Sequence, residues 1–285
     1  MKRRDIKIVA LDLDGTLLDD QKRLSQKNED ALRRCLAQGI HIVPTTGRTW
    51  DGIPDQIRSL PGLRYAITTN GAMVEDIVEH KIIRECKLTN EQTLMLAALG
   101  DSFGAMYDAY IDGRGITESR FFEHLQDYGL PVEIQALVKI TRDVVPDICE
   151  YVRASKKPSE KVNYFFKDLK ARERARQALA EYEDVVVSSS VYNNLEINAS
   201  GATKGNAIWV LADYLGIDRS QTLACGDGEN DITMIRQAGI GVAMQNASEE
   251  LRQLADYVTL TNNEDGVADA IRRFVFAAWE QERGE

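Results

Sequence analysis

Cysteine, histidine, proline and positive charge are all in short supply in this chain, and no apolar run is long. The four cysteines, Cys35, Cys86, Cys149 and Cys225, include no CxxC pair, which excludes zinc fingers and thioredoxin-type redox motifs. Scattered thiols fit a reducing cytoplasm better than a disulfide framework. The three histidines, His41, His80 and His124, match no metal-ligand spacing. With 20 glycines and 6 prolines in 285 residues, collagen-like and low-complexity architectures are excluded. The basic start precedes an apolar run that Asp12 ends too early for a signal peptide. Nothing approaches the roughly 20 apolar residues of a membrane-spanning helix. Lys+Arg 35 against Asp+Glu 45 leaves a net charge of −10, which opposes adventitious binding to nucleic acid or an anionic membrane. An anionic substrate must then be met by a local device: a metal, a lysine or a helix N-terminus. The expectation is a cytoplasmic protein with no nucleic-acid, membrane or protein partner.

The length favours about two domains. Strand patterns at 6–13, 40–43 and 65–68 alternate with helical ones, the first opening at Ser25 and stopping at Gly39, the second at 49–60. Such alternation predicts a parallel sheet wound by helices. The middle differs, with helices near 90–99, 119–128, 145–154 and 169–181, strands at 106–111, 134–140, 161–166 and 185–189, a loop at 112–115, and most of the Tyr and Phe residues. Alternation returns with a helix at 203–214, strand 222–225, helix 231–238, strand 240–243 and helices from Ser248 and Val267. The expected fold is therefore an α/β, Rossmann-like core interrupted by an α+β insertion: core at 1–85, insertion at 86–193, core again at 194–285.

Polar residues gather where the strands end. Asp12-Leu13-Asp14-Gly15-Thr16 closes the first strand, and ligands of open α/β sheets bind outside the carboxyl ends of strands. Residues i and i+2 of a strand point the same way, so two carboxylates lie side by side. Their repulsion calls for a cation or a proton between them. One could attack as a nucleophile while the other moves a proton; a plain acidic turn is the alternative. Gly226-Asp227-Gly228-Glu229-Asn230-Asp231 follows a second strand and supplies hard oxygen ligands suited to Mg²⁺; a turn residue at Asp227 and a helix cap at Asp231 are the alternative. Thr45-Thr46-Gly47-Arg48 ends a strand and opens a helix, a natural phosphate cradle; an N-cap would explain the threonine equally well. Lys204 enters a helix at its first turn, against the macrodipole, and so asks for a nearby anion; a solvated surface lysine is the alternative. A nucleophilic carboxylate, a proton-moving partner, metal carboxylates, a hydroxyl and a lysine together match phosphoryl transfer, where catalysis is positioning and charge neutralisation.

In these motifs and their order the chain resembles the haloacid-dehalogenase superfamily of phosphatases, in its Cof-type, class IIB branch. The motifs are Asp12-Leu13-Asp14-Gly15-Thr16-Leu17, Thr46-Gly47-Arg48 with Asn70-Gly71-Ala72, Thr203-Lys204-Gly205, and Gly226 to Asp231; stretches around Asn246-Ala247, Asp256-Tyr257 and Asp265-Gly266 fit the same branch. The resemblance implies a Rossmann-like core with a class IIB cap inserted between the second and third motifs. It implies Asp12 as the nucleophile that becomes an aspartyl-phosphate, and Asp14 as general acid/base. Mg²⁺ would be held by Asp12, Asp14 (through its carbonyl), Asp227 and Asp231. The phosphoryl oxygens would be held by Thr46, Gly47, Lys204, Asn230 and the N–H of Leu13. The implied substrate is a small phosphorylated metabolite, foremost a sugar phosphate. A hexose phosphomutase of the same superfamily and a receiver-like phospho-acceptor module are the rival readings. Pro44, where an aliphatic residue is usual, is expected at the very end of its strand. The histidines, Trp50, Trp209, Trp279, Cys225 and the insertion residues Tyr107, Asp112 and Arg114 are expected to be structural or solvated.

Overall fold

The computed structural model describes residues 5–130 and 132–276. In chain order its strands are β1 (Ile8–Leu11), β2 (His41–Pro44), β3 (Tyr65–Thr68), β4 (Met73–Asp76), β5 (Lys81–Glu85), β6 (Met106–Ile111), β7 (Arg114–Glu118), β8 (Arg142–Val145), β9 (Lys161–Phe165), β10 (Val185–Ser188), β11 (Asn194–Ala199), β12 (Thr222–Gly226), β13 (Ile240–Ala243) and β14 (Tyr257–Val258). They fall into two compact units. The first holds the chain up to Gly47, Ile53–Arg84 and everything from Thr203; the second holds Arg48–Gly52 and Glu85–Ala202.

The first unit is built on a parallel sheet of order β14-β13-β12-β1-β2. All four residues of β1 are buried, as a strand covered on both faces requires. The chain leaves β1 for β2 on one side, and its later strands fill the other, so the topological switch point lies at the carboxyl end of β1. Pro44 is the last residue of β2 and ends its pairing opposite Leu11. The helix Gln26–Ala37 begins at an N-cap, Ser25, whose side chain accepts the N–H of Asn28, and stops before Gly39. The helix expected over 49–60 is broken: only the short turns Trp50–Gly52 and Asp55–Arg58 form, because Pro54 cannot continue a helix from Gly52 and instead caps the second turn. β4 and β5, which extend β3 into a three-stranded sheet, are additions to the expected elements. Trp279 lies outside the described residues.

The second unit is a six-stranded sheet of order β10-β11-β9-β6-β7-β8. One face packs Tyr107, Ala109, Ile116, Val162, Tyr164, Leu195 and Ile197 into a common core. Residues 134–140, expected as a strand, lie within a helix, Val132–Thr141. Among its described side chains Val138 and Thr141 are buried while Val132 and Ile140 are exposed, a spacing of three that suits a helix and not a pleat. The expected helix over 145–154 starts instead at Ile148, since Asp147 accepts the N–H of Glu150 as N-cap and Pro146 precedes it. The expected loop over 112–115 shrinks to Asp112-Gly113, with β7 starting at Arg114, and the helix over 119–128 is split into Ser119–Phe122 and Leu125–Tyr128. β11 pairs with β9 and β10, so this unit runs on to Ala202 and not only to 193.

The opposite face of the second sheet is polar yet buried. Asp108, Thr117, Asn163 and Glu196 occupy one cross-strand row, each under a tenth exposed. Arg142 lies across this face: its Nε donates to Asp108 Oδ2 at 2.8 Å and its guanidinium meets the Tyr110 hydroxyl. Gly115 makes room for it, since a Cβ there would collide with the Arg142 side chain. Lys161 Nζ lies 3.1 Å from Glu196 Oε1. Each buried cation is thus matched by a buried carboxylate, the arrangement burial of charge demands. Asp108→Ala, which strands the guanidinium, is expected to cost about 3–5 kcal/mol in urea unfolding. Asp143→Ala, which breaks the exposed Arg114–Asp143 pair, should cost about 1 kcal/mol or less. Equal losses would contradict the assignment of the buried pair.

Candidate active site

Two neighbouring strands deliver the carboxylates. Asp12 follows β1 directly, and its N–H donates to Cys225 O at 3.1 Å; Asp227 follows β12 directly. Gly15 turns the chain at φ +82°, and any Cβ there would collide with the Asp227 carboxylate. Only glycine satisfies both demands. One residue on, the Thr16 hydroxyl donates to Asp227 Oδ1 at 2.7 Å, so the first motif fixes a side chain of the last.

Lys204 is the centre of the cluster. Thr203 caps the helix Lys204–Leu215 by accepting the N–H of Asn206, which places Lys204 on the first turn with its side chain fully buried. Its Nζ lies 2.6 Å from Asp12 Oδ1 and 2.6 Å from Asp231 Oδ1. The anion that the helix start requires is therefore present twice, and a solvated surface lysine is ruled out. Asp231 Oδ2 accepts the N–H groups of Asp227 and Gly228, both at 2.9 Å, so Asp231 shapes the loop that carries Asp227 while it pairs with the lysine.

Asp14 is partly exposed and stands 2.8 Å from Lys22 Nζ. Leu13 is fully buried and its carbonyl accepts from Leu18 N at 2.9 Å. Thr46 and Gly47 follow β2 at the same sheet end, with Thr45 N donating to Leu11 O and Thr46 N to Ile67 O. Asn230 Nδ2 donates to Asn70 Oδ1 at 3.2 Å, and Asn70 N donates to Thr46 O at 3.0 Å. Asn70 thus ties the second motif to the fourth. It does so from an unusual turn: Thr69, Asn70 and Gly71 all have positive φ, at 46°, 60° and 95°, and a β-branched residue there marks a backbone held under strain by its surroundings. Thr16 and Asn70 lie within the sequence motifs, but residue type and spacing alone give neither a role; the Asn-Gly pair after a strand is the local signal for the turn.

The electrostatics follow from burial. Burial pushes the Asp12 carboxyl well above its usual range, Lys204 pulls it back, and Asp231 and Asp227 push it up again. Burial likewise raises Asp227 to about 7, with Asp231 adding to the rise and the Thr16 hydroxyl opposing it. Burial works against charge on Lys204, but Asp12 and Asp231 outweigh it and hold the ammonium above its ordinary value. Carboxylate oxygens of Asp12, Asp227 and Asp231 lie within 4.8 Å of one another. Three acids facing one ammonium leave negative charge unbalanced, and hard oxygen donors of this kind suit a divalent cation such as Mg²⁺.

The description haloacid dehalogenase-like hydrolase matches the chain over residues 9–271. The protein belongs to this family. A 5-amino-6-(5-phospho-D-ribitylamino)uracil phosphatase of Bacillus subtilis is 30% identical over 275 residues, covering 95% of this chain and 96% of the relative. A second Bacillus subtilis phosphatase, YwpJ, is 30% identical, covering 95% of this chain and all of the relative. Among solved structures, a haloacid dehalogenase-like hydrolase of B. subtilis superposes with a TM-score of 0.84 at 27% identity over 95% of this chain and 100% of that one. A haloacid-dehalogenase subclass IIB sugar phosphatase superposes with a TM-score of 0.78 at 25% identity over 94% and 98%. The protein is thus a Cof-type haloacid dehalogenase-like hydrolase with a Rossmann-like parallel core.

Several residues set aside in the sequence have partners of their own. His41 packs edge-on to Tyr65 at 5.3 Å, Trp209 Nε1 donates to Gln237 O, Tyr107 lies in the second unit's core, and burial pushes the Cys225 thiol up to about 12. No described helix is long and apolar enough to cross a membrane.

A pH dependence follows from Asp227. A carboxyl raised from 3.8 to about 7 on folding binds its proton more tightly in the folded state. That stabilising contribution is complete below 3.8 and is lost as pH rises through about 7. In EDTA the melting temperature of the wild-type protein should therefore fall more steeply between about pH 5 and about pH 8 than that of Asp227→Asn. Equal slopes in thermal-denaturation scans would contradict the raised value.

Proposed function

We propose that this hydrolase is a Mg²⁺-dependent phosphatase of small phosphomonoesters, foremost sugar phosphates, working through an aspartyl-phosphate on Asp12. The observation that carries the reading is the buried Lys204 ammonium 2.6 Å from both Asp12 and Asp231. It offsets part of the cost that burial and the neighbouring acids put on charge at Asp12, at the sheet end where ligands bind, and the charged carboxylate is a nucleophile without further activation. Asp12 attacks phosphorus, the ester P–O bond breaks, and Asp14 protonates the departing oxygen. Asp14 then takes a proton from water as that water attacks the phosphorus of the aspartyl-phosphate, which frees phosphate and restores Asp12.

Thr46, Gly47, Lys204, Asn230 and the Leu13 N–H are the donors we assign to the phosphoryl oxygens. Asp12, Asp227 and the Asp14 carbonyl would hold Mg²⁺, with Asp231, already engaged by Lys204 and two N–H groups, in support. The bound ion would neutralise charge on the carboxylates and the phosphoryl group. Relatives named for a phospho-ribitylamino compound and for sugar phosphates support a polyhydroxylated leaving group. The hexose phosphomutase alternative differs only in the acceptor, a sugar hydroxyl in place of water.

The test is phosphate release from p-nitrophenyl phosphate and a panel of sugar and nucleotide phosphates. Release should require Mg²⁺, stop in EDTA, disappear in Asp12→Asn and fall by about 10²–10⁴ in Asp14→Asn. No free phosphate, but transfer between sugar hydroxyls, would favour the mutase; Asp12→Asn activity near wild type would end the aspartyl-phosphate reading.

A further inference from the structure

After Gly15 the chain doubles back before the helix Gln26–Ala37. Leu18 bridges to Asp14 on one side and to Leu24 on the other, so residues 18–24 form a small hairpin rooted beside the two aspartates. Asp19 builds its turn. Asp19 Oδ1 accepts the N–H groups of Gln21 and Arg23, each at 2.9 Å, Asp19 Oδ2 accepts from Arg23 Nε at 2.8 Å, and Asp19 N donates to Arg23 O at 3.0 Å.

Within this turn Lys22 has φ +60°, the left-handed region in which glycine or asparagine is the inexpensive choice. Both its backbone groups are used: its N–H donates to Asp19 O at 2.9 Å, and its carbonyl accepts from Gln56 Nε2 at 3.0 Å. The turn therefore explains the strained conformation but gives no reason for a lysine. The side chain supplies one, because its Nζ lies 2.8 Å from Asp14 Oδ1. Lys204 is already committed to Asp12 and Asp231, so the two carboxylates of the first motif are each met by a different lysine.

Resting on the phosphatase reading above, we propose that Lys22 is a positioning residue for proton transfer by Asp14. By donating to Asp14 Oδ1 it restricts rotation of the carboxyl group and so fixes the direction in which Asp14 faces the reacting oxygen. As the Asp12–phosphorus bond forms, the bridging P–O bond breaks and its electron pair takes the Asp14 proton. Lys22 keeps all its own protons. The pair is exposed, 43% for Lys22 and 38% for Asp14, so it adds little to folding, and its effect belongs in the kinetics of the proton-dependent step.

Protonation of the leaving group, the first of Asp14's two transfers and the one assigned to Lys22, matters unequally for different esters. p-Nitrophenolate leaves without a proton, whereas a sugar alkoxide needs one. Lys22→Met should lower kcat on the fastest sugar phosphate of the wild-type screen by about tenfold or more. The fall on p-nitrophenyl phosphate should be several times smaller, with KM for both esters within about twofold. Lys22→Arg should recover most of the loss. Lys22→Gly relieves the backbone, so it should keep or raise the melting temperature while showing the same split between esters. Equal losses on both esters, or no loss on either, would overturn the role of Lys22 and leave the phosphatase reading intact. A wild-type protein that releases phosphate from no ester would overturn both.

Discussion

The Lys204 ammonium lies out of water between Asp12 and Asp231, 2.6 Å from each, and the geometry of the site depends on it. Without a cation there, Asp12, Asp227 and Asp231 would repel one another in a setting that burial makes poor at screening charge. With it, Asp231 is free to use its second oxygen on the Asp227 and Gly228 N–H groups. One ion-pair triad thus orders the loop after β12, and through Thr16 and Asp227 it also reaches the loop after β1. Burial first, and the neighbouring carboxylates after it, raise Asp12 and Asp227; three acids facing one lysine are the physical reason a divalent cation belongs in the proposed chemistry.

Position follows from the sheet. Strand order sends the chain from β1 to opposite sides, so the loops after β1 and β12 open beside each other at one sheet end. The loops that line this end are not relaxed ones. Gly15, Thr69, Asn70, Gly71 and Lys22 all stand at positive φ, held by hydrogen bonds to neighbouring motifs or turns. Strain concentrated where polar groups converge is what a rigid, pre-arranged site requires.

The second unit solves a different problem with the same means. Its sheet has an aromatic-rich face packed into a core and a buried polar face, where Arg142 and Lys161 are matched by Asp108 and Glu196. Gly115 is the concession that lets a guanidinium cross the strands. Pairs of this kind contribute less to stability than apolar packing would, and they specify one arrangement strongly, because either partner alone is costly.

Much of the fold and the site is legible in the amino-acid sequence. A strand-ending DxD, a TGR at the next strand end, a lysine opening a helix and a GDGEND after a further strand name their chemistry by residue type and spacing, and capping residues such as Ser25, Thr203 and Ser248 mark helix starts locally. What could not be read depends on partners far apart in the chain. The helix Val132–Thr141 looked like a strand because β-branched residues suit both, and only burial decided. β11 and β7 are recognisable by the strands beside them. The Thr16–Asp227, Asn70–Asn230 and Lys204–Asp12 contacts span 211, 160 and 192 residues. The sequence by itself determined which groups are available and which strand ends carry them, since those are local properties of the chain. The tertiary structure alone decided which group meets which, because burial and sheet order, not spacing along the chain, bring an ammonium to two carboxylates.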